Sequence, residues 1–134
     1  MERNTKTGRR RGFTILELMI VLTIIAILVT IAIPMYQAMI LTSKEAVLKN
    51  NLSELRKAID AYTADKKKAP QALQDLVDGG YFRIVPEDPI VKSHDWDVRI
   101  DTSVASPDQT ESGIVDVHSL STKLASDGTP YNTW

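Results

Sequence analysis

The sequence predicts an α+β chain. A long N-terminal helix, membrane-spanning in its first half and amphipathic in its second, packs on a small head with a short second helix and a small antiparallel β-sheet. Three observations predict this. Phe13 to Ile33 is a run of 21 residues with Glu17 as its one charge, and a bilayer core needs about 20 apolar residues in a helix. After Pro34 a helical period continues, now mixed with charged residues. Beyond Gly80 the chain turns to proline-punctuated loops and two short stretches of partial apolar–polar alternation.

The spanning run is preceded by Arg3, Lys6, Arg9, Arg10 and Arg11. Flanking Lys and Arg favour the cytoplasmic side, which sends the rest of the chain across the membrane. The other polar residues of the run are Thr14, Thr23 and Thr30. A cleaved secretory signal is the competing reading. It expects an apolar stretch of about 7–15 residues and a small-x-small site after it. This run is longer, Glu17 interrupts it, and Tyr36-Gln37-Ala38 is a poor cleavage context. A carboxylate costs about 3 kcal/mol at a bilayer centre, so Glu17 reads as functional rather than as part of a plain anchor. Pro34 lacks an N–H and clashes with the carbonyl of Thr30, which predicts a kink or loosening there.

From Met39 the apolar stripe is read as Met39, Ala46, Leu52, Leu55, Ala58, Ile59 and Tyr62, with Lys44, Glu45, Lys49, Glu54, Lys57 and Asp60 between them. This predicts one helix to about Ala64, with the stripe on the head. Glu45 and Lys49 are spaced for an i, i+4 pair. Ile40, Leu41, Val47 and Leu48 widen the apolar face beyond one stripe, which fits either packing against other chains or a helix with some exposed apolar residues. A second helix is expected over 71–78, with Pro70 at its start, Gly79-Gly80 as its stop, and Leu73, Leu76 and Val77 as its buried face. Strands are expected over 96–100 and 114–118, joined by a polar loop from Asp101 to Gly113. Trp134 is expected to dock on the head.

Composition narrows the function classes. Residues 1–12 hold five Lys or Arg and one acid, leaving 11 of the 16 basic and 16 of the 17 acidic residues for the rest. A mildly acidic body with 6 % aromatic residues argues against nucleic acid as a partner. The cluster Lys66-Lys67-Lys68 reads as a solvated helix end. Cysteine is absent, which removes disulfides and Cys-ligated zinc. His94 and His118 match no metal-ligand spacing, and no catalytic constellation stands out.

Arg9-Arg10-Arg11-Gly12-Phe13-Thr14-Ile15-Leu16-Glu17-Leu18 resembles the class III signal of type IV pilins and type II secretion pseudopilins. From Ala61-Tyr62 through Ala69-Pro70-Gln71, Gly80-Tyr81-Phe82 and Pro86-Glu87-Asp88-Pro89 to Trp134, the chain resembles the major pseudopilins in particular. The resemblance implies a type IV pilin-like fold divided as 1–12 leader, 13–36 transmembrane and assembly half-helix, and 37–134 periplasmic head. It implies that a prepilin peptidase cuts between Gly12 and Phe13 and N-methylates Phe13. It makes Glu17 the assembly residue that neutralises the Phe13 amine, either within one subunit or on a neighbour, and Pro34 the place where the helix breaks.

The function implied is that of a structural, non-enzymatic subunit of a type II secretion pseudopilus. Its partners are copies of itself in a helical filament, minor pseudopilins, an inner-membrane platform with a cytoplasmic ATPase, and membrane lipid before assembly. The chain is expected in the bacterial inner membrane as a single pass, its N-terminus cytoplasmic and its head periplasmic. The alternatives are a type IV pilus subunit serving adhesion, twitching or DNA uptake, and a membrane-anchored periplasmic binding protein or enzyme. The resemblance also implies a calcium ion in the C-terminal loop, with Asp127 as ligand and the carbonyls of Leu120 or Ser121 as further donors. One departure bears on it: the family's acid shortly before the terminal tryptophan is missing from Thr129-Pro130-Tyr131-Asn132-Thr133.

Overall fold

The computed structural model describes residues 12–102 and 111–134. The basic leader residues Arg3, Lys6, Arg9, Arg10 and Arg11, and positions 103–110 of the polar loop, lie outside the described residues. The elements run α1 (Ile15–Lys66), α2 (Gln74–Asp78), β1 (Asp97–Asp101), β2 (Gly113–His118) and a 3-10 turn, Tyr131–Thr133. The chain divides into two compact units, Met1–Ala38 and Met39–Trp134.

In the first unit, Thr14 caps α1. The Glu17 N–H donates to Thr14 Oγ1 at 3.1 Å, and the Leu18 N–H donates to the Thr14 carbonyl at 3.1 Å. Thr14-Ile15-Leu16-Glu17 has the spacing of a capping box, so the acid also marks the helix start. Thr23 and Thr30 donate their hydroxyls to the carbonyls of Met19 and Ala26, each at 2.8 Å. Both hydroxyls are thereby satisfied inside the helix, as a spanning helix requires. The break predicted at Pro34 is absent: α1 is continuous with Pro34 inside it. One proline removes one i to i−4 bond, and the bonds of the adjoining turns carry the helix through.

In the second unit, the buried seam of α1 is Glu45, Leu48, Leu52, Leu55, Ile59 and Tyr62, with Ala58 beside it. These steps of three and four keep one face toward the head. The predicted stripe holds from Leu52 onward and fails before it. Met39 and Ala46 are exposed, whereas Leu48 is fully buried. Several stripes between 39 and 48 are almost equally apolar, so local period cannot choose among them. The core of Trp96, Ile114, Val117 and Tyr131 chooses Leu48.

α2 is shorter than predicted. Residues 71–73 form a turn in which the Asp75 carboxylate accepts the N–H groups of Gln71 (2.8 Å) and Ala72 (3.0 Å). Gly80, at φ 81°, ends α2 in the left-handed region, and the Tyr81 N–H closes onto the Leu76 carbonyl at 2.9 Å. Leu76 is fully buried and Leu73 partly so.

β1 and β2 pair antiparallel; β1 is shifted one residue from its predicted span, and β2 starts one residue earlier than predicted. Their register shifts between Arg99 and Ile100: Arg99 faces Asp116 and Ile100 faces Ile114. Val115 is therefore an extra residue on β2. A regular strand would put Ile114 and Val117 on opposite faces, because their separation is odd. The bulge turns both inward, to 1 % and 0 % exposure. The partial alternation seen in the sequence has this cause.

Candidate functional site

Two sets of residues carry the predicted sites, one in each unit. In the first, Gly12 and Phe13 precede α1 without regular structure, and Phe13 is 81 % exposed. A Cβ on Gly12 would meet nothing within 4 Å. The Gly12–Phe13 peptide bond is accessible, and the chain's own fold does not require glycine there. Glu17 is exposed in the first turn of α1. While that bond is intact the Phe13 nitrogen is an uncharged amide. Cutting it creates an ammonium one helical turn from Glu17. All of residues 12–43 are exposed, including Leu22, Ile27, Ile31 and Met35. α1 is long and apolar enough to cross a membrane.

In the second unit, the residues after β2 form a loop held against α1. Glu45 Oε1 accepts the Ser126 N–H at 2.7 Å and the Tyr131 hydroxyl at 2.8 Å, and Oε2 accepts the Ser126 hydroxyl at 2.5 Å. Burial works against charge on this carboxylate, but the hydrogen bonds from Ser126 and Tyr131 outweigh it and hold its pKa below the ordinary value. The i, i+4 pairing expected between Glu45 and Lys49 is not made. Glu45 turns into the loop, and Lys49 Nζ sits 4.2 Å from the centre of the Trp134 ring. Trp134 also stacks edge-on to Tyr131, with ring centres 5.1 Å apart.

Arg56 forms a second attachment. Its Nε donates to Asp116 Oδ1 at 2.6 Å, and its Nη2 donates to the carbonyl oxygens of Val117 (3.0 Å) and Trp134 (2.9 Å). His118 bridges the same groups, with Nε2 3.1 Å from Asp116 Oδ2 and Nδ1 2.6 Å from the Trp134 oxygen. A third lies beneath the loop. Asp88, fully buried, accepts the N–H groups of Ile90 and Val91 and, at 2.5 Å, the Ser119 hydroxyl.

The residues read as calcium ligands belong to this loop. Asp127 Oδ1 accepts both the N–H (2.9 Å) and the hydroxyl (2.6 Å) of Thr129, closing the turn at Gly128. These bonds hold its pKa below the ordinary value. Leu120 is about half exposed, and Ser121 is buried with its N–H on Ser119 Oγ. Calcium takes six to eight oxygens, several of them carboxylate. From Ser119 to Trp134, Asp127 is the one acid, and among the described residues no three His, Asp or Glu side chains gather as a metal site. This donor set does not fit calcium.

Glu45, Arg56 and Asp88 were not singled out as site residues by sequence reading. The available signal was an acid at a position in phase with Leu48, Leu52 and Leu55. It is visible only once the stripe is phased correctly.

The Prokaryotic N-terminal methylation motif matches residues 7–33. The chain is 32 % identical over 128 residues to type II secretion system core protein G of Klebsiella pneumoniae, covering 84 % of each chain. It is 30 % identical over 97 residues to core protein G of Aeromonas hydrophila, covering 60 % of this chain and 68 % of that relative. It is 44 % identical over 62 residues to type IV major fimbrial protein FimA of Dichelobacter nodosus, covering 46 % of this chain and 39 % of FimA. No solved structure gives a significant match.

Proposed function

This chain belongs to the type II secretion system core protein G family, the major pseudopilins, and we propose on that basis that it is the repeating structural subunit of a periplasmic pseudopilus. The filament is assembled from the inner membrane and drives export of folded proteins across the outer membrane. The observation that carries this reading is the exposed apolar surface of α1 from Ile15 to Leu41. A single subunit leaves that surface unsatisfied, and lipid and then neighbouring copies of the helix cover it. The FimA matches cover 44–54 % of this chain, whereas that to core protein G of Klebsiella pneumoniae covers 84 %, which favours the pseudopilus over a type IV pilus.

The sequence of events follows from charge. The basic leader keeps the N-terminus cytoplasmic and presents Gly12–Phe13 to a prepilin peptidase. Cleavage and methylation convert Phe13 into a cationic N-terminus. In the filament Glu17 neutralises that cation, because either charge left unpaired in apolar surroundings costs several kcal/mol. Correct stagger between subunits is selected in this way. Minor pseudopilins and a platform with a cytoplasmic ATPase supply initiation and work, and this chain supplies the scaffold. The test is Glu17→Ala. Membrane insertion and leader removal should persist while filaments and secretion are lost. Normal filaments from this variant would refute the pairing role.

A further inference from the structure

The second unit contains a buried carboxylate that filament assembly leaves unexplained. Glu45 is 6 % exposed and lies in the core-facing seam of α1. All three groups that reach it are donors from the far end of the chain: the Ser126 amide, the Ser126 hydroxyl and the Tyr131 hydroxyl. A buried carboxylate is costly unless its oxygens are satisfied, and these donors satisfy both. Lys49 and Arg56 follow at four and eleven positions along α1, close to whole helical turns. They take the Trp134 ring and the Trp134 oxygen. One face of α1 thus holds the segment from Ser126 to Trp134 at both ends.

We propose that this clasp, centred on Glu45, closes the C-terminal loop with protein groups alone, so that the head folds and stays folded without a divalent cation. Two observations argue for it. The loop has one carboxylate, Asp127, and that carboxylate already closes its own turn through Thr129. The negative charge that fastens the loop comes instead from α1, and the groups it meets are N–H and O–H donors. A cation bound to Glu45 would have to displace them. The comparison with a calcium-bound loop rests on the pseudopilin reading, but the clasp itself does not.

The test uses the mature full-length chain in detergent micelles, with calcium chloride as the probe and a chelator as its opposite. Thermal melting should give the same midpoint in both, and calorimetric titration with calcium should show no saturable binding. Glu45→Gln should lower the midpoint equally in calcium and chelator, by about 4–8 °C for each kcal/mol removed. Ser126→Ala, which removes one donor and leaves the carboxylate, should lower it less. Hydrogen exchange at the Ser126 amide should be slow in chelator for the wild type and faster in Glu45→Gln. A wild-type midpoint that rises with calcium, saturable binding near one ion per chain, or a Glu45→Gln variant that melts like the wild type would overturn the proposal. None of these readouts involves filament assembly, so a failure of the pseudopilus reading would leave them unchanged.

Discussion

The Tyr131 hydroxyl donates to Glu45 Oε1 at 2.8 Å, joining residues 86 positions apart, and both side chains are buried. The ring of Tyr131 is core and its oxygen is a ligand for the carboxylate. Tyr131→Phe therefore keeps the packing and removes one of three donors. Bonds to charged groups contribute about 1.5–3 kcal/mol, so chemical denaturation should show a loss of that order. Glu45→Ala should cost more, because it leaves the Ser126 and Tyr131 donors without their acceptor.

Stability should fall at both extremes of pH. Burial raises the pKa of Glu45, but the bonds from Ser126 and Tyr131 bring it below its ordinary 4.5. Burial likewise raises Asp116, and the Arg56 bond, the Val117 N–H and the charges of Arg56 and His118 bring it below 3.8. A depressed folded pKa gives stability that is present above the unfolded value and lost as pH falls through the folded one. Tyr131 goes the other way: burial, then the bond to Glu45 and its charge, push it up to about 12. Its contribution is complete below the unfolded value of 10 and is lost as pH rises toward about 12. Denaturation midpoints measured across pH should show both limbs, and Tyr131→Phe should remove this part of the alkaline one.

Gly113 and Gly128 should respond differently to alanine. A Cβ on Gly113 would lie 2.6 Å from the Pro70 carbonyl oxygen and 3.0 Å from the Ala69 Cβ. The Ile114 N–H to Pro70 carbonyl bond, 2.8 Å, fixes that approach. Overpacking of this kind costs about 1–3 kcal/mol. At Gly128 there is open space, but φ is 83°, so alanine costs only the left-handed backbone penalty, about 1–2 kcal/mol. Melting of both variants measures the difference.

Mass spectrometry of the mature chain should show residues 1–12 gone and one methyl on Phe13. Gly12→Val should leave the leader attached without changing the melting midpoint, because a Cβ at Gly12 meets nothing in the fold. A variant that is cut normally would remove Gly12 from the recognition site.

Where the reading held, its determinants are local. The length of the apolar run in the first unit and the Gly79-Gly80 stop in the second are each written in neighbouring residues. Pro34 lies inside a continuous α1, since a proline removes one helical bond and the turns on either side keep theirs. The bulge at Val115 was hidden, because register answers to two core positions rather than to strand alternation.

The long helix, the processing signal and the acid that follows it can be read from residue order alone. The partners of Glu45 and Arg56 emerge in the folded head. By spacing, Glu45 belonged with Lys49, a surface pair of small energy. In the fold it meets Ser126 and Tyr131 instead. Burial strengthens those bonds, and burial arises only when distant segments have come together.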